Sequence, residues 1–261
     1  MNNYLILIRN TVLLQMKNSF ARPMFKFCLI FQPVIYCFIT YMMYKQSSSQ
    51  NFTSFVVLGS GLLSLWSCIC FSSMGDLERE RYMGTLEIIY GTPTSFKLIV
   101  FGKILGNTLL GMTPLLISFI LAFCFIQEPL DIKSPPLFVF SFLIAIIAFI
   151  CISFMFMAVF TISRSAGVLM NCLEYPIFFI CGFIVPIDYL PNILKSMSML
   201  FSPTWVMQLL RTSIEGEKSS SYYMECLIIT CLISIVYLLI SSFLFRKMDK
   251  MIRISGSLGV K

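Results

Sequence analysis

Six long apolar runs, at residues 27–44, 52–73, 104–126, 135–160, 167–185 and 223–245, constrain this chain more than any other feature. Each is close to the roughly 20 residues that a helix needs to cross the hydrocarbon core of a bilayer. In lipid the backbone has to satisfy its own hydrogen bonds. Uninterrupted apolar runs do so as helices, whereas barrel strands would alternate apolar and polar side chains. Hydrophobic residues make up 58% of the chain and charged residues only 12%, against about 25% charged in an ordinary soluble domain. The expected fold is an all-α integral membrane protein. It has six transmembrane helices in one domain over residues 1–261, with no room for a soluble domain in the loops.

The net charge of +7 raises the question of a nucleic-acid partner, and its distribution answers it. With six spans both termini share one side. Only Lys45, Lys133, Lys195, Arg211 and Lys218 fall on the other side; the rest of the 19 lysines and arginines lie on the side of the termini. Cationic residues accumulate on cytoplasmic loops, so both termini are expected in the cytoplasm. The basic excess then sets orientation and meets anionic membrane lipid; no nucleic acid is called for. The first run is full length and follows a charged segment, so it reads as an anchor and not a cleaved signal. The ten cysteines lie within or at the ends of the spans and read as small apolar packers.

Residues 1–22 carry Asn2, Asn3, Arg9, Asn10, Lys17 and Asn18 in a heptad rhythm on one stripe, with Leu5, Leu7, Ile8, Val12, Leu14 and Met16 between them. That is an interfacial amphipathic helix, too polar to span, or else a frayed tail. Arg22-Pro23 should end it. Residues 45–51 and 127–134 are expected as short external loops and 161–166 as a tight cytoplasmic turn. The external stretch 186–222 holds Pro186, Pro191 and Pro203 between apolar runs too short to span. It reads as re-entrant short helices packed against protein, or as a plain surface loop.

The segment 75–103, GDLERERYMGTLEIIYGTPTSFKLIVFGK, is the charged exception between the second and third runs. Gly75-Asp76 offers an N-cap, and Asp76, Glu78 and Glu80 bring negative charge to the first turns. Glu78 and Arg81 stand at i, i+3, where they can pair. Gly91 and Thr92-Pro93 form a stop signal. A cytoplasmic helix over 76–90 is expected. One face carries Asp76, Glu80, Met83 and Glu87, and another carries Arg79, Tyr82, Leu86 and Tyr90. The pattern suits a contact with a soluble protein; a solvated charge run fits it equally.

Glu174 is the acid placed mid-way in a span, followed by Tyr175-Pro176. An ionisable group at that depth faces a polar interior or is neutral. It is either a substrate-pathway residue or a neutral glutamate bonded to Asn171, Asn107 or a carbonyl freed by Pro176. The Phe- and Met-rich fourth span can line an adaptable route or face lipid. The chain contains no G-x-x-x-x-G-K-[ST] phosphate loop and no histidine, so ATP chemistry, Ser-His catalysis and His-zinc sites are outside its means.

Glu78, Glu80, Gly84-Thr85-Leu86-Glu87, Thr92-Pro93, Lys97 and Gly102-Lys103 resemble the loop after the second span of type-2 ABC exporter permeases. Gly182 through Pro186-Ile187, Leu190-Pro191 and Ser202-Pro203-Thr204-Trp205 through Arg211 resemble that family's region after the fifth span. The small residue usual before the glycine is here Cys181. The resemblance covers almost the whole chain. It implies that the first loop is a coupling helix, with Asp76, Glu78, Glu80, Arg81, Gly84, Thr85, Leu86, Glu87 and Pro93 meeting an ATP-binding-cassette subunit. That subunit would bind ATP and magnesium; this chain would hold no cofactor or metal and would not be an enzyme. A second permease copy or a paralogue would complete the pathway in a bacterial plasma membrane. The resemblance leans toward the drug, peptide or bacteriocin-immunity branch, with an amphipathic substrate contacted by Glu174, Asn171 and Asn107. A glycan-polymer exporter, a non-transporting immunity or scaffold protein, and a channel are the alternatives.

Overall fold

The computed structural model describes residues 2–44, 52–92, 94–125, 132–162, 166–216 and 220–255, and every regular element among them is helical. The order is α1 (Asn2–Ala21), α2 (Pro23–Tyr44), α3 (Phe52–Tyr82), α4 (Thr85–Tyr90), α5 (Phe96–Gly111), α6 (Thr113–Phe125), α7 (Pro135–Ile162) and α8 (Ala166–Ile180). A 3-10 turn (Ile187–Tyr189), α9 (Asn192–Ser198), α10 (Ser202–Glu215) and α11 (Ser220–Ser255) follow. Among the described residues four stretches are long and apolar enough to cross a membrane: Pro23–Met43, Phe96–Leu121, Pro135–Thr161 and Ser220–Met248. The chain is an all-α, multi-pass membrane protein.

The second and fifth expected spans differ from these four for a physical reason. The apolar run within α3 is shorter, Val56–Cys70, and Ser60, Ser64 and Ser67 are fully buried in it. Small residues let neighbouring backbones approach, so α3 is built to pack against helices and not lipid. It touches α2, α5, α6, α7, α8 and α10 and forms the centre of the molecule. A Cβ on Gly59 would stand 2.4 Å from the carbonyl oxygen of Phe183. Trp66 of α3 meets Phe156 of α7 edge to face at 5.6 Å. The fifth expected span is cut short. α8 has 15 residues, about 22 Å of helix against a hydrocarbon core of about 30 Å. It stops at Ile180 because Gly182 takes a left-handed φ of 77°.

The third expected span begins earlier and is divided. α5 starts at Phe96 and not at 104, and α5 and α6 meet at Met112. Pro114 supplies no N–H for the carbonyl four residues back, which breaks the ladder there. Beyond the 3-10 turn, α10 is buried along nearly its whole length, against α7, α11 and α3. Gly216, at φ 61°, ends it in a left-handed cap. Residues 45–51 and most of 127–134 lie outside the described residues.

α1 ends at Ala21 and α2 begins at Pro23, the break expected at Arg22-Pro23. Arg9, Asn10, Lys17 and Asn18 are exposed, as the polar stripe requires. The opposite side of α1 lies on α5. A Cβ on Gly102 would stand 2.9 Å from the Thr11 side chain, and one on Gly106 would stand 2.9 Å from the carbonyl oxygen of Val12. Two glycines one helical turn apart thus let the two backbones come together.

Candidate functional site: the charged turn and the buried acid

The charged segment folds differently from the separate helix expected over 76–90. α3 runs without interruption through Gly75 and Asp76 to Tyr82, so Gly75-Asp76 is not an N-cap. The true stop is Gly84, whose φ of 68° reverses the chain; nothing lies within 4 Å of a Cβ placed there, so conformation alone selects glycine. The Thr85 hydroxyl donates to the Glu80 carbonyl at 3.3 Å, and α4 follows for six residues. The Thr92 hydroxyl then donates to the Ile89 carbonyl at 2.8 Å. The span of α3 is therefore a single rod that projects beyond its apolar run and carries a short helix at its tip.

Asp76 is 3% exposed and does not belong to a docking surface. Its carboxylate pairs with Arg22 and accepts bonds from the side-chain amides of Gln15 and, at 2.8 Å, Asn107. The Ser19 hydroxyl donates to the Asn107 side-chain oxygen at 2.6 Å. One carboxylate thus joins α1, the α1–α2 link, α3 and α5. One turn further along α3, Glu80 pairs with Lys103 of α5. The two acids hold the rod against its neighbours. Nothing in the sequence marks Gln15 and Ser19 as partners of residues 61 and 88 positions away.

Past this clamp the surface changes character. Tyr82 is 94%, Met83 59% and Ile88 71% exposed, three large, mostly apolar side chains on the two sides of the Gly84 turn at the tip. Ile89 and Tyr90 face inward onto the core. Tyr90 meets Phe96 at 5.7 Å, and Phe96 meets Phe245 of α11 at 6.2 Å. The tip is seated on two helices and presents an apolar face outward. Of the expected coupling residues, Gly84 and Thr85 shape this turn and Glu80 supports it. The side chains of Glu78, Arg81, Leu86 and Glu87, and the whole of Pro93, lie outside the described residues.

Glu174 is 1% exposed on α8, facing inward with Ser67 of α3 in hydrogen-bonding reach. Its Oε2 has no hydrogen-bond partner among the described residues. Asn107 is spent on the Asp76 cluster and is not its partner; the side chain of Asn171 lies outside the described residues. Gln32, on α2, was not signalled by the sequence. Its amide donates to Ser67 at 3.0 Å.

The region after α8 is assembled by long-range bonds. Arg211, on α10, donates to the Gly182 carbonyl at 3.1 Å. The indole of Trp205 donates to the Met199 carbonyl at 2.8 Å, and the Thr204 hydroxyl to the Ser198 carbonyl at 2.7 Å. Tyr237 of α11 accepts from the Ser202 backbone at 3.3 Å.

Compared with known families, residues 11–243 match the model described as ABC-2 family transporter protein. No curated protein matches the chain. With a helical membrane fold, a clamped turn at the tip of its central helix and a family match over most of its length, the chain belongs to the ABC-2 transporter family, as the membrane permease of an ABC transporter.

Proposed function

We propose that this permease is an exporter subunit: it moves an amphipathic substrate out of a bacterial cell, driven by an ATP-binding-cassette subunit docked on the turn at residues 82–92. A permease of this family is a transport component and is not itself catalytic, and the family implies an ATP-binding partner. The observation that carries the docking assignment is the exposed apolar trio Tyr82, Met83 and Ile88 at the end of a rigid rod. Exposed aromatic and methionine side chains are what a protein contact uses. A push on the tip is not absorbed locally, because the Asp76 and Glu80 pairs lock α3 to α1 and α5. It travels along α3, which touches most other helices. Both termini stand on the cytoplasmic side in this reading, and a second copy or a paralogue supplies the other half of the pathway. In this reading the 3-10 turn, α9 and α10 pack as short helices in the outer leaflet.

Co-expression with the ATP-binding protein of the same operon tests it. The two chains should co-purify from membranes and hydrolyse ATP, and Glu87→Lys should lower substrate-stimulated ATPase by about tenfold, the effect of an unpaired like charge in an interface. Purification of the chain alone, with no ATPase stimulated by any such partner, would sink the exporter reading.

A further inference from the structure

Glu174 belongs to a polar cluster built from three helices at the centre of the protein. Gln32 of α2 donates its amide to the Tyr36 hydroxyl at 2.7 Å and to Ser67 of α3 at 3.0 Å, and Ser67 reaches Glu174 of α8. The amide donors are thus spent inside the cluster. Two buried oxygens are left over, Gln32 Oε1 and Glu174 Oε2, and both are acceptors. Neither ion pair among the described residues, Arg22–Asp76 or Lys103–Glu80, includes Glu174.

A buried cluster of acceptors with no cationic side chain paired to it among the described residues is complementary to a cation. A metal ion would want several anionic or imidazole ligands, and no such group occurs among the described residues. A single carboxylate beside amide and hydroxyl oxygens suits an organic ammonium. Its surroundings suit a hydrocarbon body. Tyr36 meets Phe178 edge to face at 6.1 Å, and Phe178 meets Tyr175 at 5.9 Å. Tyr175 and Phe179 are in turn exposed on the outer side of α8. The rings run from that outer side to the carboxylate, a path on which a cation is favoured by the aromatic faces.

We infer that Glu174, Gln32 and Ser67 bind the ammonium head of an amphipathic substrate whose hydrocarbon part lies along Tyr36, Phe178 and Tyr175. The inference rests on the exporter reading and specifies its substrate class. The test uses the full chain in lipid nanodiscs, with decylammonium as probe and decanol as its uncharged counterpart, each corrected for binding to empty nanodiscs. Wild type should bind decylammonium saturably. Glu174→Gln should weaken that binding about tenfold or more and Ser67→Ala about threefold, the scale of a lost hydrogen bond to a charged group; decanol binding should be the same in all three. Ser67→Ala keeps the carboxylate and covers the case in which Glu174→Gln folds poorly. Absence of saturable decylammonium binding, equal affinity in Glu174→Gln, or an equal loss of decanol binding overturns the assignment. A neutral, purely structural Glu174 produces the first or second of these. Because the chain is assayed without its ATP-binding partner, failure here is separable from failure of the co-purification that tests the exporter reading.

Discussion

Asp76→Ala should cost the folded chain about 3–5 kcal/mol, the range for removing one partner of a buried charge pair. The cost arises because Arg22, Gln15 and Asn107 all converge on that carboxylate and would be left without it at the meeting point of α1, α3 and α5. Gln15 keeps bonds to Ser19 and to the Asn107 side-chain oxygen, but the Arg22 guanidinium and the Asn107 amide lose this acceptor. In detergent the unfolding midpoint should fall by roughly 10 °C, taking a few degrees per kcal/mol for a chain of this size. Asp76→Asn keeps one acceptor and loses the charge, so it should fall between the two. An unchanged midpoint in Asp76→Ala would show that the cluster does not hold the rod. The same substitution separates stability from coupling. If the clamp transmits force from the tip, any complex that still assembles should show ATPase activity that no longer responds to substrate.

Gly59→Ala should be nearly as damaging, by the opposite route. The added methyl would stand 2.4 Å from the Phe183 carbonyl oxygen, a backbone atom that cannot swing aside. Overpacking of this kind costs about 1–3 kcal/mol or more. Gly61 is the control. Its Cβ would stand 3.0 Å from Leu115 Cγ and 3.2 Å from the Leu115 Cα, contacts that a shift of a few tenths of an ångström relieves, so Gly61→Ala should cost about half as much or less. Phe183 follows the left-handed turn at Gly182, which Arg211 of α10 holds by its carbonyl. Gly59→Ala therefore loosens the central helix from the short helices beyond α8. Thermal midpoints of the two variants in the same detergent check the order; equal midpoints would refute the close approach.

Much of this was legible in the sequence, and what was not has a common cause. The apolar runs, the break at Arg22-Pro23 and the exposed stripe of Arg9, Asn10, Lys17 and Asn18 follow from local pattern, which needs only the chain's own period. The charged segment misled because its N-terminal signals are local too. Gly75 and Asp76 look like a helix start, yet three side chains from α1, the α1–α2 link and α5 consume the carboxylate that would have capped it, and the helix runs on. The expected stop at Gly91 does end α4, but the earlier stop at Gly84 went unread, because it is marked by a positive φ that only the folded chain shows. Glu174 was visible as an acid in an apolar run. Its surroundings were not, because Gln32 and Ser67 sit on helices that only the tertiary fold brings to α8, and Asn107 had already been claimed by Asp76.

The central claim is that an ATP-binding subunit seats on the tip of α3. A photo-reactive benzoylphenylalanine in place of Tyr82, 94% exposed, tests it most directly, with the same substitution at Tyr189, 80% exposed in the 3-10 turn after α8, as the comparison. Irradiation of the assembled complex should join the Tyr82 variant, and not the Tyr189 variant, to the ATP-binding chain on a denaturing gel. A product from Tyr189 with none from Tyr82 would contradict the account.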